Sequence, residues 1–380
     1  MLKLISTAFI IFVSICTSSS FADSFRYIRV AVLSDASSIS LKINGSYEIT
    51  DTRGSVLAEG TVLKTTVTTY KGGISWGGSF FKTPKVFIKA TDSGPISVNG
   101  RLFKGSIQLI KNKDAAFTVV NQVELEDYIK GILYHEASHY WPMEALKAQA
   151  IASRSYALYQ MQENKLNSFD VTSDIYSQVY GGKTSERYRT SMAVDETKGL
   201  ALTYRGKLFS AYFSATCGGH TEDASKLWNT DIAPLKGVPC GFCKDSPHFN
   251  WHYVLTLEEI EEKLAEGRFR VKKIKDLRVI DKDSSGRVAN LKIIGADKEV
   301  KIPAKDFREW IGPNIIRSTH FTIKLAQKDL IFEGIGWGHG VGLCQWGAYF
   351  MAKQGRTASE ILCYYYPGSE INQLPVAGNW

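Results

Sequence analysis

Residues 135–139 read "HEASH". In letters this is the H-E-x-x-H pattern, where two histidines one helical turn apart hold zinc and the glutamate between them acts as a peptidase's general base. That chemistry needs a continuous helix and a third ligand from another element. Here Trp141 precedes Pro142, and a residue before proline is driven out of helical geometry. His139 is therefore expected in a connection. Glu144 opens the next helix, and Glu163 closes it about 30 Å away by helix rise. The zinc-peptidase reading is set aside. What remains is Glu136 at a helix end, followed by Tyr140 and Trp141. An acid held against aromatic rings loses solvent, and its pKa climbs towards use as a general acid. From these residues alone, a Glu136 that caps or pairs with a cation is the simpler reading.

A second constellation is rich in thiols. "TCGGHTED" carries Cys217 and His220, and "PCGFCKDSPH" carries Cys240, Cys243 and His248. A Cys-x-x-Cys pair with a third Cys and one His is the ligand set of a closed tetrahedral zinc site, structural in role. The sequence does not choose between His220 and His248. A disulfide is the alternative in an oxidising compartment, and three clustered thiols leave one over. Cys344 and Cys363 stand apart.

These residues must be positioned by a mixed scaffold. From Phe25 to about Asn121, short β-branched and aromatic runs such as "YIRVAVL", "KVFIKA" and "AAFTVVN" alternate with turn residues and predict strands. Leu125 to Tyr134 has helical spacing. A second helix is expected from Pro142 to about Glu163, Pro142 suiting its first turn. Strands return in "LALTYRGKLFSAYFSA", with "YRGK" as the turn, and in the hairpin-like "LRVIDKDSSGRVANLKII". "GIGWGHGVGLCQWGAYFMAKQG" predicts a Gly-rich loop that opens into a helix. The expected class is α+β. It divides into an export segment (1–22), a β-rich part (23–120), a core with the Cys/His cluster (121–254), an α+β section (255–325) and a C-terminal loop and helix (326–380), packed around one long substrate groove.

The 380 residues, 44% of them hydrophobic, suffice for a large core. Lys3, the apolar run "LISTAFIIFVSIC" and the small residues before Asp23 predict a cleaved export signal, and with it Cys16 departs. The expected protein is exported, periplasmic or extracellular, and wall-associated. Its net charge is +8. In such a compartment a basic surface meets anionic wall polymer or membrane, and nucleic acid is not expected as a partner.

The segments "NQVELEDYIKGILYHEASHYWPMEALKAQAIASRSYAL", "SQVYGG", "AVDETKGLALTYRGKLFSAYFSATCGGHTED", "SSGRV", "GIGWGHGVGLCQWGAYFMAKQG" and "ILCYYYPG" occur in one order. In this combination the chain resembles the stage II sporulation protein D family (SpoIID), which includes the amidase enhancer LytB. The resemblance covers most of the chain after Asn121. It implies a lytic transglycosylase acting on peptidoglycan glycan strands stripped of stem peptides, with Glu136 as the one catalytic acid and base and no catalytic cofactor. It also implies a cell-wall amidase as a partner. By position in the family's motifs, Gln178, Tyr180, His339 and Gln345 are expected to touch sugar. Arg154, Lys147 or Lys183 would offer counter-charge to lactyl carboxylates. Some family members carry a zinc-associated Cys just before the Gln-x-Tyr motif; here that residue is Ser177, so any zinc belongs to the other cysteines.

Overall fold

Alternation of apolar and polar residues along the first hundred positions builds strands with one buried face. The computed structural model describes residues 26–112, 116–267, 269–296 and 298–374; the expected export segment lies outside them. The strand Tyr27–Ala36 pairs antiparallel with Phe117–Glu124 and parallel with the short Val171–Thr172. All three sit in an eleven-stranded sheet that otherwise comes from residues 38–111. Ile28, Val30, Val119 and Val123 point from it into the largest hydrophobic cluster.

Two helices leave that sheet. Helix α1 (Leu125–Glu136) buries Tyr128, Ile129, Ile132 and Leu133 on one side. Helix α2 (Met143–Glu163) is buried on nearly every face from Ala145 to Leu158. Such all-round burial marks a central helix. The small side chains of Ala148 and Ala152 admit neighbours from a second cluster that contains Leu202, Phe209, Leu343 and Tyr365. Helix α3 (Tyr188–Glu196) packs against both α1 and α2.

The hairpin Leu200–Tyr204 to Lys207–Leu208 turns at Arg205 and Gly206, with φ of 52° and 72°. Two positive φ values in a row give the tight turn whose twist suits a hairpin, as "YRGK" predicts. After the short helix α4 (Ala224–Leu227), a third cluster runs from Trp251 to Phe332. It holds α5 (Leu257–Glu266), α6 (Ala304–Ile311) and two three-stranded sheets. One of these contains the expected hairpin, Asp276–Lys282 against Val288–Ile294. Helices α7 (Gln345–Lys353) and α8 (Ala358–Tyr365) both pack against α2, and the strand Glu370–Gln373 then pairs with Leu200–Tyr204. The fold is α+β.

Arg154 is 1% exposed on α2 and corrects the expectation of a substrate counter-charge. Its Nε and Nη2 donate to the two carboxylate oxygens of Glu126 on α1, at 2.9 and 2.8 Å. Nη1 donates to the Leu200 carbonyl at 3.0 Å. A buried guanidinium so fully used ties α1, α2 and the following hairpin together and offers nothing to a ligand. Lys147 is also engaged, with Glu144 at 3.0 Å and Glu196 at 2.7 Å. Removing one partner of a buried pair leaves the other uncompensated. Arg154→Ala should therefore lower unfolding free energy by about 3 kcal/mol in urea titrations; a loss under about 0.5 kcal/mol would place the pair in the surface class.

Candidate active site

Helix α1 stops at Glu136. Ala137 is extended (φ −142°, ψ 133°), while its N–H still donates to the Leu133 carbonyl. Pro142 (φ −54°, ψ 142°) starts α2 afresh. The turn between them is clasped by Arg189, which donates to the carbonyls of His139 and Trp141 at 2.9 and 3.0 Å. The two histidines of the H-E-x-x-H letters consequently part company. His135 Nε2 lies 2.6 Å from Ser185 Oγ, whereas the His139 ring rests between Tyr134 and Tyr140.

Two segments converge on the Glu136 carboxyl group. The backbone N–H of Val179 donates to it, and Gln345 Nε2 donates to Oε2 at 3.4 Å. The same nitrogen donates to Gln149 Oε1 at 3.4 Å, and Gln149 is 2% exposed. Burial raises the Glu136 pKa from 4.5 to about 7, against the two donors that favour its charged form. The negative end of α1's dipole acts in the same direction as burial. Tyr140, at 82% exposure, turns to solvent and does not help to dry the acid. Trp141 instead meets Trp346 and Tyr349 of α7, with ring centroids 5.2 Å away in each case.

Of the residues expected to touch sugar, Gln345 reaches the acid and two others do not face a ligand. Gln178 is 1% exposed; it accepts from the Tyr128 hydroxyl at 2.9 Å and donates to the Ser153 carbonyl. The Tyr180 hydroxyl donates to Asn121 Oδ1 at 2.8 Å, and its ring packs beside Tyr128 and Phe103. A Cβ on Gly131 would stand 2.5 Å from the Tyr180 ring, so the glycine inside α1 makes room for it. Both side chains are struts. They anchor the backbone on either side of Val179 and so present its N–H to Glu136. His339 accepts from the Val341 N–H at 3.1 Å, and burial pushes its pKa down to about 3. It is a neutral ring set against Trp228 and Tyr212. Lys183 is exposed on the turn Gly182–Ser185.

The thiols gather differently from the sequence reading. Cys217, Cys240, Cys243 and Cys344 have all four Sγ atoms within 4.8 Å of one another, a group able to hold a metal ion. The fourth member is Cys344, not a histidine. His220 Nδ1 lies 2.6 Å from the Thr221 carbonyl, and His248 packs on Trp337 and Trp346. Sequence distance hid Cys344, which the strand pairing of Phe213–Ser214 with Leu343–Cys344 brings back. Gln149 and the Val179 amide were also missed. A lone glutamine in "LKAQAIAS", surrounded by alanines, was the available signal for the first, and a backbone donor leaves none.

The family described as "Stage II sporulation protein" matches residues 113–204, which contain Glu136, Gln149 and Val179. Stage II sporulation protein D of Bacillus subtilis is 32% identical over 304 residues, covering 75% of this chain and 84% of that protein. The chain belongs to the stage II sporulation protein D family. Membership assigns it a cell-wall-related role. An uncharacterized protein of Brachyspira hyodysenteriae is 39% identical over 277 residues, 72% of this chain and 73% of its own. The Amidase enhancer of Bacillus subtilis is 26% identical over 291 residues, 64% of this chain but 40% of that longer protein. A domain of unknown function (DUF8618) matches residues 240–342. Gln345 and Cys344 lie beyond both matched stretches.

The elevated acid has a measurable signature in stability. A folded-state pKa raised from 4.5 to about 7 means that folding favours the proton. The benefit is complete below pH 4.5 and is lost as pH rises through about 7. Glu136→Gln, which carries no charge at any pH, should be more stable than wild type by about 3 kcal/mol at about pH 8 and equally stable at about pH 4. Equal stability at both pH values, by denaturant titration, would mean an acid of ordinary pKa.

Proposed function

We propose that the chain is a lytic transglycosylase for peptidoglycan glycan strands that lack stem peptides. The observation that carries this reading is Glu136, an acid with pKa about 7 held by the Val179 amide and Gln345. Near neutrality such a group both gives and takes a proton. Protonated Glu136 donates to the glycosidic oxygen as its bond to C1 of N-acetylmuramic acid breaks. The carboxylate then removes the proton of that sugar's own 6-hydroxyl, whose oxygen closes on C1. The products are a free 4-hydroxyl and a 1,6-anhydro end. Water does not attack, so the second carboxylate of hydrolytic glycosidases is not needed.

Trp141, Trp346 and Tyr349, half-buried rings packed on one another, are the candidates for stacking on sugar rings. Lys183 is the counter-charge candidate left once Arg154 and Lys147 are committed to ion pairs. The net charge of +8 favours an anionic strand, and the proposed substrate implies a location outside the cytoplasm. The scheme uses no metal; zinc held by the thiols would be structural.

The test is incubation with stripped glycan strands and mass spectrometry of the ends. Wild type should yield 1,6-anhydromuramic products, and Glu136→Gln should yield at least about a hundredfold fewer, as expected for loss of a general acid and base, while still binding strands. Cleavage should fall as pH rises above about 7, because the acid form starts the reaction. Equal activity of the two proteins would remove Glu136 from the mechanism. Similarity to the Amidase enhancer supports a second reading, a glycan-binding protein that stimulates a cell-wall amidase. Binding without cleavage, together with stimulation of an added amidase, would select it.

A further inference from the structure

We propose that Cys217, Cys240, Cys243 and Cys344 bind one zinc ion as a closed, four-thiolate structural site. The sulfurs of Cys217 and Cys243 are 3.6 Å apart, and all four lie within 4.8 Å of one another. Four ligands about 2.3 Å from a tetrahedral zinc stand about 3.8 Å from one another. A disulfide needs about 2.05 Å and pairs sulfurs two by two, whereas these four surround one point. All are at most 2% exposed.

The surroundings are built to hold sulfur as thiolate. Cys344 Sγ accepts from the Cys217 N–H at 3.3 Å and from the Gly347 N–H at 3.4 Å. The second bond caps nine-residue α7, whose positive end favours a thiolate. The Tyr365 hydroxyl lies 3.1 Å from Cys240 Sγ. A Cβ on Gly347 would stand 3.2 Å from that sulfur and 1.9 Å from the Tyr365 oxygen, so no side chain fits there. Arg287, 1% exposed, donates to the carbonyls of Cys217 and His220 at 2.5 and 2.9 Å. It fixes the first ligand loop and sets a positive charge beside a site that would carry a net negative one. Donors of this kind orient ligands and tune a metal site.

The ion would join the loop after Phe213–Ser214, the Cys-x-x-Cys turn and the start of α7. Cys344 directly precedes Gln345, so it would also hold the donor that reaches Glu136. That last consequence rests on the proposed function; metal binding itself does not.

The full chain should be purified without chelator or added metal and its zinc measured by plasma mass spectrometry. About one zinc per chain is expected. Cobalt exchange should give the thiolate charge-transfer bands of a tetrahedral site. In the native protein a thiol reagent should find exposed Cys363, and Cys16 where the first 22 residues are retained, at once and the other four only after chelation. Cys344→Ser and Cys217→Ser should lose more than about nine-tenths of the metal, while Cys363→Ser keeps it. Should the serine variants fail to fold, the cobalt spectrum and thiol count of wild type still decide. Absence of metal, iron in place of zinc, or an intact mass reduced by the hydrogens of two disulfides would overturn the proposal. Loss of zinc binding would leave Glu136 chemistry standing, and failure of Glu136 chemistry would leave the zinc site standing.

Discussion

The structure turns on the contact between Gln345 and Glu136, made across 209 positions of sequence. A carboxyl group at the negative end of a helix, largely withdrawn from water, is costly when charged. It is kept close to balance by two donors from different parts of the chain, Gln345 and the Val179 amide. Much of the surrounding architecture holds those donors in place. Tyr128 and Asn121 anchor Gln178 and Tyr180, which flank Val179. Gln149 shares the Gln345 amide. The Arg154–Glu126 pair locks the helix that ends in Glu136 to the helix that carries Gln149.

This arrangement explains why several polar residues of the motifs are buried. Gln178, Tyr180 and Arg154 each satisfy a hydrogen-bonding need of the core, and unpartnered polar groups at such depth would be destabilising. A buried acid further from the site follows the same logic. Burial and a hydrogen bond with Asp283 raise Glu222 to about 7, and Ser285 donates to it at 3.0 Å. That cluster ties "TCGGHTED" to "SSGRV", two segments that sequence order separates.

What was legible in the sequence followed from local physics. The strand runs of the first hundred residues, the break at Pro142 and the "YRGK" turn each depend on neighbours a few positions away. Their outcome matches the expectation. The helix end at Glu136, which parts the two histidines of the H-E-x-x-H letters, also follows from one proline, whereas the acid's catalytic role came only from the resemblance. The rest is set by tertiary contact. The resemblance singled out Gln178 and Tyr180, yet only the packing of Tyr128, Asn121 and Gly131 shows that they face inward. Cys344 was set apart because strand pairing, not spacing, returns it to Cys217. Arg154 looks like an available cation until its partner Glu126 on a neighbouring helix is seen.

One constraint thus links fold to chemistry: an acid made reluctant to ionise by its position, with its donors supplied from afar. The direct test is the titration of Glu136 itself, by carbon-13 NMR of glutamate-labelled protein with Glu136→Gln identifying the resonance. The account predicts a midpoint about 7. A midpoint near the ordinary value of 4.5 would contradict it.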